Sequence, residues 1–318
     1  MSGEVSSVKV AVIGAGSIGM AFAIVFASAG HRVTIYDTDP ERLGMARDEL
    51  ASALSDLARH DLLQENASAV LTRIAVTGDL AEAVQGALWI QECAPEKLDL
   101  KRALIADLDS LAQPDAVIAS SASAIPSSQS TGHLPGSRRC LVCHPANPPF
   151  LLRVIEIVPH AGTDPAVSAF AREFLSACGM QPVMVGKEIE GFVFNRLQGA
   201  LLREAYCLVR DDVASVEDID TLVRDGLGLR WSFMGPFETV DLNTRGGLAA
   251  HAEKIGPAYR RMGLERGQDD PWTDALVDKA TAQRRSLLPL EGWDERRAWR
   301  DRRLMALIRH RRNQEVAP

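Results

Sequence analysis

The residues that most constrain the fold are Gly14-Ala15-Gly16-Ser17-Ile18-Gly19, which lie between the β-branched run Val8 to Ile13 and an apolar, small-residue stretch from Ser17 to Ala29. That order reads as a strand, a tight turn and a buried helix. Arg32-Val33-Thr34-Ile35-Tyr36 comes next as a second strand ending at Asp37, which completes a βαβ unit. In this context the glycines allow a tight turn, close approach of the backbone to a pyrophosphate, and close packing of helix on strand, with the helix N-terminus facing the phosphate charge. Gly14, Gly16, Ser17, Ile18 and Gly19 are therefore the expected cofactor loop. A carboxylate at Asp37 suits ribose hydroxyls and repels a 2′-phosphate, which favours NAD over NADP. Glycines kept for packing alone are the competing explanation, and the spacing argues against it.

Further strand candidates are Ile74 to Thr77, Leu88 to Cys93, Ala116 to Ser120, Arg139 to His144, Val154 to Val158 and Pro182 to Val185, with helical patterns between several of them. Alternation of this kind predicts an α/β fold: a Rossmann-type, doubly wound, mostly parallel sheet with helices on both faces. Pro40 can open a helix, long or broken, running to about Glu65. After Lys187 the β pattern stops. Phe192 to Asp212 and Val216 to Gly226 carry apolar residues at helical spacing, and most of the remaining chain is helical in pattern. The expected organisation is an NAD-binding domain over 1–189 and an all-α C-terminal domain over 190–318.

Composition narrows the partners. With 318 residues, 46% of them hydrophobic, the chain can bury a large core. A net charge of −7 argues against nucleic acid, which needs a basic face. Met1 to Ser7 has no basic segment of the signal-peptide kind, and no apolar run approaches the ~18 to 20 residues that cross a bilayer, so a cytoplasmic location without membrane contact is expected. The five cysteines are odd in number and lie mostly in apolar surroundings, as reduced thiols do. Cys140-Leu141-Val142-Cys143-His144 matches the C-x-x-C-H pattern of haem attachment, yet it lies inside a strand-like run, and alternating strand cysteines are preferred over haem or zinc. No metal site is expected. Trp293 to Arg312 holds eight arginines among apolar residues and reads as a solvated helix with one packed stripe, ahead of a membrane or nucleic-acid role.

The chemistry concentrates in Cys143-His144-Pro145-Ala146-Asn147-Pro148-Pro149 and in Glu156, which sits within Val154-Ile155-Glu156-Ile157-Val158. A lone carboxylate in an apolar strand is costly to bury unpaired, and a histidine is its natural partner. If strands on either side of the prolines bring His144 and Glu156 together, they form a general base and its orienter.

These stretches, with Gln91-Glu92-Cys93-Ala94-Pro95-Glu96, Leu98-Asp99-Leu100-Lys101, Ser120-Ser121-Ala122-Ser123 and Lys187 to Leu197, resemble the 3-hydroxyacyl-CoA dehydrogenase superfamily. Within it the resemblance is to the lambda-crystallin or L-gulonate 3-dehydrogenase branch, over nearly the whole chain including Leu304-Met305. It implies His144 and Glu156 as the catalytic pair, Ser123 and Asn195 as donors to the substrate oxygen, and Asn147 as a secondary polar neighbour. Glu96 and Lys101 would line the cofactor cleft, with Lys101 bonding to ribose hydroxyls. It also implies a helical domain that pairs subunits, hence a homodimer.

Family members acting on acyl-CoA use a lysine-rich helix after the second strand, whereas residues 41–65 carry six carboxylates against Arg42, Arg47 and Arg59. Arg230 resembles a position shared by members that act on free carboxylates, which a guanidinium fork suits; stacking on Trp231 or a salt bridge at a subunit contact would be its structural role. The expected activity is NAD-dependent oxidation of the 3-hydroxyl of a small free hydroxy acid, L-gulonate first. A 3-hydroxyacyl-CoA substrate, L-carnitine, and an idle crystallin-like NAD-binding protein are the alternatives.

Overall fold

The computed structural model describes residues 7–267, 273–293, 295, 296, 299 and 310. The arginine-rich segment from Trp293 to Arg312, and Leu304-Met305 with it, lies mostly outside the described residues. Two compact units divide the chain, 1–202 and 203–318.

The first unit is built on one eight-stranded sheet ordered β3-β2-β1-β4-β5-β6-β7-β8. Its strands are β1 (Lys9–Ile13), β2 (Arg32–Tyr36), β3 (Ile74–Thr77), β4 (Ala87–Glu92), β5 (Val117–Ser120), β6 (Cys140–Pro145), β7 (Val154–Pro159) and β8 (Gln181–Met184). All neighbours run parallel except β6 and β7. The helices are α1 (Ser17–Ser28), α2 (Pro40–Arg59), α3 (Ala67–Leu71), α4 (Leu80–Val84), α5 (Leu98–Leu111), α6 (Ser127–Thr131) and α7 (Pro165–Ala177), with α8 (Phe194–Arg210) starting in this unit and ending in the next. The expected domain boundary at 189/190 precedes α8, whereas the compact units divide within it, between Leu202 and Arg203.

Local chemistry explains these elements. Central strands such as β5 and β6 are buried along their whole length because helices cover both faces. Gly19 to Ala27 of α1 are all buried, which accounts for a helix with no charged residue. Asp39 caps α2 by accepting from the backbone N–H of Glu41 and Arg42, with Pro40 in its first turn. Two apolar clusters fill the two faces: Cys143 lies in the cluster around Phe22, Phe26 and Trp89, and Cys140 in the one around Ile90, Ile105 and Ile118. These cysteines point to opposite faces of a strand, each fully buried.

The strand order reverses between β2-β1 and β4-β5, and a crevice at the carboxyl ends of the strands is expected at that switch point.

The second unit contains α9 (Val216–Thr221), a π-helical turn (Leu222–Leu227), α10 (Gly228–Trp231), α11 (Pro236–Asn243), α12 (Gly247–Glu265) and α13 (Asp274–Leu287). Fully buried Asp241 ties it together: it accepts from the Leu248 N–H, pairs with Arg285, and its carbonyl accepts from Trp293 Nε1. No helix among the described residues is long and apolar enough to cross a membrane.

Candidate active site

The carboxyl edge of the sheet gathers most of the candidate residues. After β1 the chain turns through Gly14, whose φ of 115° is left-handed; a Cβ there would lie 2.9 Å from the Cys93 carbonyl oxygen. A Cβ at Gly19 would lie 1.9 Å from the Gly14 oxygen. Backbone crowding therefore demands both glycines. At Gly16 a Cβ would meet nothing within 4 Å, so this position opens to the outside. Beside it runs a groove of about 420 Å³ lined by Gly14, Gly16, Ser17, Ile18, Asp37 and Leu100, among others. Asp37 is held there by the N–H groups of Ala15, at 2.7 Å, and Asp39, at 3.0 Å. An open glycine, a helix N-terminus and an anchored carboxylate at the end of β2 are the set that a dinucleotide needs.

Lys101 departs from the expectation. It is 1% exposed, and its ammonium donates to both carboxylate oxygens of Glu92, at 2.9 and 3.0 Å, and to the Ala94 carbonyl at 3.0 Å. All three donors of the ammonium are occupied inside the protein, leaving none for a ribose hydroxyl. Glu92, also fully buried, accepts in addition from Ala94 N–H and from Ser120 Oγ at 2.5 Å. The pair ties α5 to the ends of β4 and β5 beneath the crevice.

Glu96 lines the cleft that holds His144 rather than the dinucleotide groove, and it also builds the loop beyond β5: one of its oxygens accepts from the N–H groups of Ser123, Ala124 and Ile125, at 3.0 to 3.2 Å. Ser123 lines the same cleft, and its hydroxyl has no hydrogen-bond partner among the described residues. Asn195 Nδ2 donates to the Ser123 carbonyl at 2.9 Å, so these two candidates are linked directly. Asn147 lines the same cleft, which measures about 240 Å³.

His144 and Glu156 are directly opposite one another in the antiparallel β6–β7 pair. Antiparallel pairing puts both side chains on one face, and His144 Nδ1 meets Glu156 Oε2 at 2.7 Å. The other carboxylate oxygen accepts from the Val193 and Phe194 N–H groups at 2.8 and 3.0 Å, at the entry to α8. An ionised Glu156 thus has every reason to keep a proton on Nδ1, which leaves the Nε2 lone pair free. His144 lines the cleft with Ile18, Cys93, Glu96, Ser123 and Asn147, and the imidazole is flanked by Phe192 and Phe194 at 5.7 and 6.3 Å between ring centroids.

Sequence reasoning did not single out the polar chain behind this wall. Trp89 Nε1 donates to Gln91 Oε1, Gln91 Nε2 donates to Ser121 Oγ, and Ser121 Oγ meets Cys93 Sγ at 3.2 Å. Burial pushes the Cys93 thiol up to about 12, so it stays protonated at neutral pH and supplies no thiolate. The available signal was Gln91 itself, a fully buried amide that must find partners.

Arg230 lies in α10 of the second unit, directly after the π-helical turn. It is half-buried, and among the described residues its guanidinium makes neither an ion pair nor a stack on Trp231.

A doubly wound sheet with this glycine turn at its switch point suits a dinucleotide, and the family match makes the protein an NAD-dependent oxidoreductase acting on CH–OH groups. The chain belongs to the 3-hydroxyacyl-CoA dehydrogenase family: residues 9–189 match that family's NAD binding domain and residues 191–287 its C-terminal domain. It is 37% identical to lambda-crystallin of Oryctolagus cuniculus over 311 residues, 96% of this chain and 97% of that protein. It is 38% identical to an L-carnitine dehydrogenase of Streptomyces coelicolor over 266 residues, 83% and 80% of the two chains. Among solved structures, an NAD-dependent 5-formyl-3-hydroxy-2-methylpyridine-4-carboxylic acid 5-dehydrogenase superposes with a TM-score of 0.70 at 28% identity, over 98% of this chain and 100% of that one.

Proposed function

We propose that this enzyme oxidises the 3-hydroxyl of a small free hydroxy acid, with L-gulonate, giving 3-dehydro-L-gulonate, as the leading substrate. The observation that carries the reading is the His144–Glu156 pair, clamped at Nδ1 and open at Nε2 in a cleft beside the dinucleotide groove. His144 Nε2 takes the hydroxyl proton as a hydride leaves the same carbon, and Glu156 stabilises the imidazolium that forms. Bound NAD supplies the hydride acceptor. The Ser123 hydroxyl, and the Asn195 N–H not used on Ser123, donate to the substrate oxygen, which carries the negative charge in the reductive direction. Asn147 contributes a further polar contact, and Asp37 with Gly16 holds the cofactor.

Two observations favour a free acid over a CoA thioester. Of the arginines in α2, Arg42 is taken by Glu49 and Arg59 by Asp56, so Arg47 alone makes no ion pair among the described residues; the three phosphates of CoA would find little cation there. Arg230, which makes no ion pair among the described residues, suits a carboxylate as a bidentate partner. The L-carnitine dehydrogenase relative makes L-carnitine the second candidate.

We also infer a homodimer through the second unit and α8. None of the α8 side chains is buried, and Leu197, Tyr206, Leu222 and Phe237 are each more than 60% exposed, apolar area that a partner copy would cover. A sedimentation measurement showing only monomer rejects this.

The deciding experiment measures NADH formation from L-gulonate, L-carnitine, 3-hydroxybutyrate and 3-hydroxybutyryl-CoA side by side. Turnover of the thioester alone overturns the free-acid reading. Arg230→Met should raise KM for the free acid and leave NAD binding normal; an unchanged KM removes the carboxylate role.

A further inference from the structure

The chain turns into α8 through two consecutive left-handed residues, Gly191 with φ 74° and Phe192 with φ 48°. Glycine adopts this conformation freely. A phenylalanine does not, because its Cβ crowds the following carbonyl. Such strain persists only where the surroundings over-determine it, and it gathers at functional sites.

The surroundings of Phe192 do so. Its ring is fully buried among Ala122, Val142, Val158 and Val185, and packs on the His144 imidazole at 5.7 Å and 52° between planes. Its N–H donates to the Ile189 carbonyl at 3.1 Å. The next two N–H groups, of Val193 and Phe194, then converge on Glu156 Oε1, while Oε2 holds His144 Nδ1. Successive backbone N–H groups after a left-handed residue form an anion-binding nest, and in this protein the anion is Glu156.

We propose that Phe192 is a positioning residue of the proton-transfer pair: its buried ring holds the left-handed turn whose two N–H groups keep the Glu156 carboxylate aimed at His144. The proposal rests on the reading of His144 and Glu156 as base and orienter. A carboxylate oxygen held against Nδ1 accepts its proton and so fixes the imidazole tautomer. Of the other titratable groups nearby, Glu96 and Cys93 line the cleft with His144, but Glu96 is engaged by the loop around Ser123 and Cys93 is neutral. Glu188, in the approach to the turn, accepts from the Ser128 N–H. Glu156 is thus the carboxylate in contact with the imidazole.

The test compares Phe192→Ala, which deletes the ring but keeps the Cβ that disfavours a left-handed turn, with Phe192→Leu, which refills the apolar site. Phe192→Gly adopts the turn without a side chain and should therefore stay nearer to wild type. His144 is titrated by NMR with labelled histidine, a readout that needs no substrate, and kcat, KM and NAD affinity are measured across pH. Phe192→Ala should release the Glu156 oxygen from Nδ1 and scramble the His144 tautomer. It should also cut kcat by roughly 10- to 100-fold, part of what a general base is worth, with NAD affinity unchanged. Phe192→Leu should restore most of both. If Phe192→Ala does not fold, Phe192→Val, which keeps part of the apolar volume and disfavours a left-handed φ more strongly, carries the test. An unaltered His144 tautomer in folded Phe192→Ala or Phe192→Val overturns the proposal, even where activity falls. Failure of the wild type to turn over any hydroxy acid would instead remove the functional reading, and the NMR arm would still decide the role of Phe192.

Discussion

Glu156→Gln keeps the shape of the side chain and removes one acceptor and one charge. Glu156 now accepts three hydrogen bonds: two backbone N–H groups at Oε1 and His144 Nδ1 at Oε2. An amide has a single acceptor oxygen. Turned with its NH₂ toward the Val193 and Phe194 N–H groups, it would leave two buried donors unsatisfied, at about 1–3 kcal/mol each. The oxygen therefore stays with them, and the NH₂ faces Nδ1. Nδ1 must then accept, which moves the imidazole proton to Nε2, the atom that has to take the substrate proton. General-base catalysis is worth roughly 10²- to 10⁴-fold, and the same tautomer error beside the histidine of a serine protease costs about 10⁴. The expected loss in kcat is about 10³- to 10⁴-fold, or about 4–5.5 kcal/mol at the usual energy per decade. Neither residue lines the dinucleotide groove, so NAD affinity should hold. The assay is the initial rate of NADH formation across pH, with calorimetric titration of NAD. A variant that stays within about fivefold of wild type at every pH refutes the base-and-orienter reasoning, because no tautomer argument permits so small a loss.

Gly19→Ala places a Cβ 1.9 Å from the Gly14 oxygen, so turn and helix must part; a displacement of about one ångström is expected to weaken NAD binding by up to about 10²-fold, measured by calorimetry. Lys101→Met leaves Glu92 as a buried charge without its cation, at a cost of about 3–5 kcal/mol in urea denaturation; a loss of NAD affinity at unchanged stability would instead return Lys101 to the ribose. His31 is buried against the Phe174 ring at 5.1 Å, and burial holds its pKa below the usual histidine value. The folded state keeps it neutral while the unfolded chain takes a proton near pH ~6.5, so its contribution is intact above that value and is lost as pH falls toward the depressed folded pKa. His31→Phe should therefore flatten the decline of Tm on acidification through that window; an unchanged slope rejects the assignment.

The sheet was legible because its strands are short β-branched runs separated by helical patterns, and because the glycine spacing after β1 permits little else. The helix expected from Glu41 to about Glu65 ends earlier, at Arg59, where the chain turns through Asp61 with a left-handed φ of 56°. The left-handed conformation of Phe192 carried no sequence signal beyond the glycine before it, since aromatic residues rarely adopt it. The role of Phe192 emerges only when β6, β7 and α8 meet.

The instructive contrast is between Lys101 and His144. Burial of a carboxylate in an apolar strand demands a partner, and that demand points from Glu156 to His144. It applies with equal force to Glu92, which closes the apolar strand β4, and Lys101 one helix turn into α5 is the cation within reach. The carboxyl edge of the sheet thus holds two buried carboxylates with two kinds of partner. All three donors of the Lys101 ammonium are taken by Glu92 and the Ala94 carbonyl, so Glu92 and Lys101 can lock α5 to the sheet and offer no open position to a substrate. An imidazole changes its protonation near neutrality, so Glu156 can stabilise a charge that appears during the reaction and disappears after it. The chemistry of the partner, more than the burial of the carboxylate, separates the pair that holds the crevice together from the pair that can work in it.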